Sequence, residues 1–336
     1  MRDIAREAQV SRSTVSRVLS GAPTGFPVAE RTRERIFRVA RDMGYRPNPL
    51  ARGLRGAPTM LLGLIVRDSI DLLDAAAIQA ASIEAGRHGY NLVLGHVGGR
   101  ADEDVELWRI IEARHCDAII FLGDLLERPE FAAELRDTNV PVVAVWHWTA
   151  STSIPTVNVD NEMGVTLALD HLTGLGHRHI AFVSDRRVGE ARQREDAYRR
   201  YLGRIGIEVG TDLVQDASND ASGTAHALDR LADRPDAPTA IVCSTDAVAI
   251  GVLQAAQRHG LQVPQDVSIV GFDDTPLARV TVPALTTVHQ PVLEMMETAV
   301  AILFEGLKGA GVSLPQQHRV VEPSLIARGS TGPAPG

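Results

Sequence analysis

The sequence predicts an α/β protein: a small all-α helix-turn-helix headpiece followed by two doubly wound parallel α/β lobes. Three observations carry the prediction. Two helical patterns joined by a short turn open the chain, and from Leu61 onward strand and helix patterns alternate in two successive sets. Charge is divided between these regions: net charge is −8 over 336 residues, yet residues 1–56 hold 12 arginines against 5 acids, a balance of +7, leaving −15 for the remainder. A basic headpiece on an acidic body suits a chain in which one domain meets phosphates and the other stays off them.

The headpiece is organised around Val10 to Gly21, VSRSTVSRVLSG. Ser11 is a good N-cap, and Val15, Val18 and Leu19 follow at the spacing that lines one buried helical face. The opposite face carries Arg12, Ser13, Ser16, Arg17 and Ser20 and no acid. Before it, Ile4, Ala5 and Ala8 give an earlier helix an inward face. Two such helices across a tight turn place the second in a DNA major groove, its N-terminal residues against base edges. For this segment alone, a basic amphipathic helix on a generic helical domain is the plainer alternative. A Pro/Gly-rich loop, APTGFP, leads to a third helix over Ala29 to Met43, with Ile36, Val39, Ala40 and Met43 on one face.

The first alternating set runs LLGLIV, helix Ala75 to His88, NLVLGHV, helix Glu103 to Arg114, DAIIFLG, helix Pro129 to Thr138, PVVAVW. The second runs HIAFVSD, helix Gln193 to Arg204, helix Ala221 to Ala232, TAIVCSTD, helix Ala247 to His259, VSIVGFDD. Such alternation means parallel sheets with right-handed crossovers, and two in tandem leave a ligand cleft at the carboxyl ends of the strands. Helix Pro291 to Gly309 should cross back to the first lobe, and the last residues, STGPAPG, read as a disordered tail.

Asp3 to Ala8, Val10 to Gly21, Arg31-Thr32-Arg33-Glu34-Arg35-Ile36 and Gly44-Tyr45-Arg46-Pro47-Asn48 together resemble the headpiece of the lactose/galactose repressor family of bacterial transcription regulators. The resemblance continues through Val157-Asn158-Val159-Asp160-Asn161, which opens the second lobe, Gly176-His177-Arg178-His179-Ile180-Ala181 and Val270-Gly271-Phe272-Asp273-Asp274. It implies a headpiece at 1–46, a hinge helix or linker at 47–57, and a periplasmic-binding-protein-like core at 58–330. The first lobe of that core takes about 58–158 plus 290–321 and the second about 159–289 plus 322–330. By the same resemblance the protein is a sequence-specific, double-stranded DNA-binding transcriptional regulator, a repressor controlled by a small-molecule effector of the sugar class. It is cytoplasmic, without cofactor, and, with no leucine-heptad tail, a homodimer on a pseudo-palindromic operator.

Residue by residue, the resemblance puts Arg12, Ser13 and Arg17 on bases, Ser11 and Thr14 on phosphates, and Ser16 on the same face. Asn48, Arg52 and Leu54 of the hinge also meet DNA, Leu54 as a minor-groove wedge; a flexible linker with an incidental leucine is the alternative. In the cleft it places Arg194 and Asp273 opposite each other on ligand hydroxyls, with Thr245 and Gln290 lining the mouth. The pair would also form a plain salt bridge if no ligand intervened. Asp71 belongs to a first-lobe loop that lacks the aromatic pair of many relatives, and Trp146-His147-Trp148 replaces a region where relatives carry an acid. Trp146 or Trp148 is then the flat surface for a sugar face in a chain with only 4% aromatics.

Three further departures from the family matter. Met1 stands where an apolar residue precedes the family's cap, so the helix lacks its N-cap and a natural start a few residues upstream is expected. Gln9 occupies a corner where glycine is usual, and the loop after Gly21 is about three residues longer than the family norm.

Other chemistry finds little footing. His177-x-His179 and His115-Cys116 lack further ligands at metal spacing. Lys308 is the only lysine, which leaves Schiff-base or phosphate-loop chemistry almost no candidate, and no Gly-x-Ser-x-Gly elbow is present, so an enzyme is the weaker class. Cys116 and Cys243 read as reduced core residues. No run of 18 uncharged apolar residues occurs, which speaks for a soluble, unexported chain with no membrane partner. Two rivals remain: a cytoplasmic sugar-binding protein without true operator specificity, and a ligand-independent DNA-binding protein. Sugar calorimetry and a promoter footprint separate them.

Overall fold

The structure, a computed structural model, describes residues 1–20, 28–45, 58–67, 72–97, 116–123, 138, 140–146, 154–186, 189–207, 209–217, 221–308, 314 and 317–336. The expected helices at 103–114 and 129–138 lie outside these residues, Thr138 excepted.

Helices α1 (Arg2–Glu7), α2 (Arg12–Ser20) and α3 (Glu30–Asp42) open the chain. Ile4, Ala5, Ala8, Val15, Val18, Ile36 and Ala40 close one core among them, on the faces that the helical spacing predicts. The corner between α1 and α2 turns at Gln9 with φ 51°, the left-handed conformation where glycine would be unstrained. Met1 occupies the α1 cap position without a side-chain bond to the helix. Met43 departs from the expected inward face and is 49% exposed. The helix ends at Asp42, and Tyr45 folds back onto the core instead.

The first sheet is built from β1 (Leu61–Arg67), β2 (Asn91–Val97), β3 (Ala118–Leu122), β4 (Val142–Val145) and β5 (Thr156–Val159), with α4 (Leu72–Arg87) between β1 and β2. The chain then runs α5 (Asn161–Gly174), β6 (Ile180–Ser184), α6 (Gly189–Arg204), β7 (Val214–Asp216), α7 (Ala221–Ala232), β8 (Ala240–Cys243), α8 (Asp246–Arg258), β9 (Ser268–Asp273) and β10 (Thr286–His289). Helix α9 (Val292–Lys308) returns to the first sheet, packing on β3, β4, β5 and α4, before β11 (His318–Val321) and β12 (Ser324–Ile326).

The strand orders are β11-β5-β4-β3-β1-β2 and β12-β10-β9-β8-β6-β7. Every pairing is parallel except β10 with β12. Strands β3, β4, β5, β6, β8 and β9 are buried at every position, the mark of sheets covered on both faces. In each sheet the order reverses beside the first strand laid down, and such folds bind ligands past the carboxyl ends of the strands.

Two expectations need correction. Residues 157–161 straddle the junction: the strand pairs with β4 in the first sheet, and only Asn161 starts the helix on the second. The C-terminal tail is ordered, not loose. Ser330 is fully buried and exchanges bonds with Ile269, Gly332 N–H donates to Ser268 Oγ at 3.0 Å, and Ala334 N–H donates to the Leu175 carbonyl at 2.9 Å. Composition alone reads such a segment as disordered, but the second sheet and α5 supply its missing backbone partners. His177 completes the anchor, its Nε2 3.0 Å from the Gly332 carbonyl and its Nδ1 2.9 Å from Thr239 Oγ1. A carbonyl only accepts, so the neutral ring carries its proton on Nε2. Both ring nitrogens are thus engaged within the fold, in the structural role that the sequence reading preferred to metal ligation.

Candidate functional site

The headpiece presents α2. Ser11 caps it, its Oγ accepting the Thr14 N–H at 3.1 Å and lying 2.7 Å from both Ser13 Oγ and Thr14 Oγ1. Arg12, Ser13 and Arg17 are exposed, Thr14 and Ser16 half-buried, and Arg17 Nε donates to the Ser13 carbonyl at 3.3 Å. With no acid in its first turn, this helix start offers unopposed N–H dipoles and guanidinium groups to anions. Asn48, Arg52 and Leu54 lie outside the described residues.

The second candidate site lies where the carboxyl ends of the two sheets meet. Asn161 follows the Asp160 cap of α5, whose carboxylate accepts the Met163 N–H at 2.8 Å. Arg194 projects from α6, Ser244 follows β8, Phe272 and Asp273 end β9, and Gln290 follows β10. Arg194 Nε donates to Asn161 Oδ1 at 2.8 Å, Nη1 donates to the Ser244 carbonyl at 2.5 Å, and the guanidinium lies 3.6 Å from the Phe272 ring centroid. Gly164 lets α5 approach that ring, since a Cβ there would come within 2.7 Å of it.

From Arg194 the contacts continue to the first sheet. Its Nη1 is 3.6 Å from Asp273 Oδ1, the same oxygen accepts Gln290 Nε2 at 2.7 Å, and Gln290 Oε1 accepts the Trp146 indole N–H at 3.1 Å. All four side chains are buried, Trp146 at 5% exposure. Burial pulls the Arg194 guanidinium below its ordinary value, and the carboxylates of Asp273, Glu190 and Asp246 oppose that pull. The arrangement is a planar donor fork facing a carboxylate in a dry setting, which can bind a group that both donates and accepts, such as vicinal hydroxyls.

Sequence reasoning therefore assembled Arg194, Asp273, Gln290 and Trp146 correctly as neighbours. Thr245 is half-buried at the same strand end, but its hydroxyl caps α8 by accepting the Val248 N–H at 3.2 Å. Trp146 is not an open platform: it packs into the core with its N–H engaged. Trp148 and Asp71 lie outside the described residues. Missed were Asn161, Phe272 and Asp246, all inside quoted motifs, where their polar or aromatic type beside a strand end was the available signal.

Cys116 and Cys243 are buried, and burial raises both thiols, Cys116 to about 11. Among the described residues no three His, Cys, Asp or Glu side chains come together as a metal site, and no helix is long and apolar enough to cross a membrane.

Comparison with known proteins gives concordant matches at both sites. Residues 1–48 match the family described as bacterial regulatory proteins, lacI family, and residues 169–331 match the periplasmic binding protein-like domain. The chain is 33% identical to catabolite control protein A of Priestia megaterium over 327 residues, 95% of this chain and 96% of that one. It is similar to the lac repressor dimer bound to operator and the anti-inducer ONPF, with TM-score 0.85, 26% identity and 98% of each chain covered. A transcriptional regulator CelR–cellobiose complex matches with TM-score 0.73, 26% identity and coverage of 97% of this chain and 98% of that one.

Proposed function

The chain belongs to the lacI family of bacterial regulatory proteins, and on that footing we propose that it is a homodimeric, cytoplasmic repressor whose operator binding is set by a sugar-class effector held between two lobes. It is a DNA-binding transcriptional regulator under effector control, not an enzyme. The observation that carries the effector reading is the buried run Trp146–Gln290–Asp273–Arg194, which links the ends of the two sheets through one carboxylate. A ligand hydroxyl pair that displaces Gln290 from Asp273 joins or parts the two sheets at that point.

The domain division follows from this reading: headpiece 1–46, hinge 47–57, and a two-lobed core at 58–330 whose first lobe runs to the end of β5 at Val159. Arg12, Ser13 and Arg17 read bases, and Ser11 and Thr14 hold phosphates at the helix start, with Ser16 beside them. Asn48, Arg52 and Leu54 act from the hinge, and Asp71, Trp148 and Thr245 line the effector. A two-fold dimer presents the same helix twice, so the operator is pseudo-palindromic. Exposed Val280 and Val282, at 71% and 96%, with Leu277 beside them, support burial against a second copy. Selecting operator sequences from a random DNA pool, then screening neutral sugars for release or retention of that operator, tests the proposal. Selection of no palindromic consensus overturns the operator reading, and a response only to apolar or purine-like compounds overturns the sugar reading.

A further inference from the structure

Asp273 and Asp274 are consecutive non-glycine residues at φ 125° and φ 55°. Both conformations are disfavoured when a Cβ is present, and such strain persists only where the surroundings over-determine it. The restraint stands one residue further on. Thr275 gives its N–H and its hydroxyl to the same oxygen of Asp246, at 2.7 and 3.0 Å, and the other oxygen takes the Thr287 hydroxyl at 2.5 Å. Asp246 is wholly buried at the start of α8, and β9 makes room for it, because a Cβ on Gly271 would overlap its carboxylate. The Asp274 carboxylate is held by Arg328, His289 and Arg279, and its N–H donates to the same Thr287 hydroxyl at 3.4 Å.

We propose that Asp246 is a positioning residue for the effector: through Thr275 and Thr287 it locks the strained Asp273–Asp274 backbone and so aims the Asp273 carboxylate at Arg194 and Gln290. The proposal rests on the reading of Asp273 as an effector ligand. A carboxylate only accepts, and here it accepts from three donors. A carboxylic acid or an amide has a donor on one side, so at least one of the three threonine bonds must reverse or break.

Burial, together with the neighbouring Asp274 carboxylate, lifts the Asp246 pKa to about 6 against the pull of the threonine bonds. The other charged or titratable groups around it are Arg194 on α6, Cys243 on β8, Asp273 at the end of β9, and His289 on β10, which reaches Asp274 at 3.2 Å. Protonation of Asp246 as pH falls through about 6 therefore loosens the lock on Asp273.

The Trp146 indole N–H reads this lock without any ligand, because it bonds to Gln290, which bonds to Asp273. The test uses full-length protein with nitrogen-15-labelled indoles, the Trp146 resonance assigned with Trp146→Phe, and titration from pH 8 to pH 5. The expected result is one step with a midpoint near pH 6 in the parent. In Asp246→Asn the step is absent and the resonance sits at the parent's low-pH position throughout, and Thr275→Val shifts it part of the way. Calorimetry with D-glucose, D-galactose, D-ribose, maltose and cellobiose should find that whichever sugar binds the parent at pH 8 binds Asp246→Asn roughly tenfold more weakly, as expected when about one hydrogen bond is lost. An Asp246→Asn resonance equal to the parent's overturns the proposal. So does a step that persists in Asp246→Asn. If Asp246→Asn does not fold, an unshifted Thr275→Val resonance overturns it equally. If the indole pattern appears as expected but none of the five sugars binds the parent, the positioning role stands and the sugar reading of the site fails.

Discussion

Gln290 donates from Nε2 to Asp273 Oδ1 at 2.7 Å and accepts the Trp146 indole N–H on Oε1 at 3.1 Å. The indole can only donate and the carboxylate can only accept, so the amide has one orientation that satisfies both. Gln290→Met keeps the volume and removes both bonds, leaving a buried N–H and a buried carboxylate each short of a partner. The expected cost is about 1–3 kcal/mol. Urea denaturation showing no loss of stability would mean that the bridge contributes nothing measurable.

Arg17→Ala tests the headpiece. Arg17 is exposed on the α2 face that lacks acids. A bidentate arginine–guanine contact is worth roughly 1–3 kcal/mol of discrimination. The variant should bind the selected operator more weakly by that amount and tolerate more bases at one position of each half-site. Anisotropy titration and repeated selection measure both, and an unchanged consensus would move base reading to another face.

The docked tail predicts an acid-sensitive anchor. Burial lowers the pKa of His177, and of His171, whose Nε2 is 2.9 Å from Thr331 Oγ1, below the ordinary histidine value. The unfolded chain therefore takes up these protons first. The stability the pair contributes is complete above the unfolded value, about 6.5, and falls away as pH drops through it toward the lower folded values. His177→Gln removes one of the two titrations, so its thermal midpoint should fall less than the parent's between pH 7.5 and pH 5.5. Equal falls would remove His177 from the acid limb.

The parts of this molecule that were legible in the sequence are those governed by local period. Runs such as AIIFL and IAFVS are apolar throughout because both sheet faces are covered, and the headpiece faces follow helical spacing. The short strand β7 and the antiparallel edge strand β12 carry no such period, being three residues each. The tail was misread because its partners, Ser268, Ile269 and Leu175, lie far away in the chain. At the cleft, motif matching brought Arg194 and Asp273 together, but the Trp146–Gln290 bond spans 144 positions and depends on how two sheets meet. The threonine lock on Asp246 was equally invisible, since a Ser-Thr-Asp run at a strand end reads as a helix cap, which Thr245 also is.

The central claim is that one carboxylate, Asp273, couples effector to operator. The direct measurement is operator affinity by fluorescence anisotropy, with and without each member of a neutral sugar library, in the parent and in Asp273→Ala. The account predicts that a sugar shifts the parent's operator affinity, while Asp273→Ala binds DNA alone as the parent does and gives no shift with the same sugar. A full sugar response retained in Asp273→Ala would contradict it.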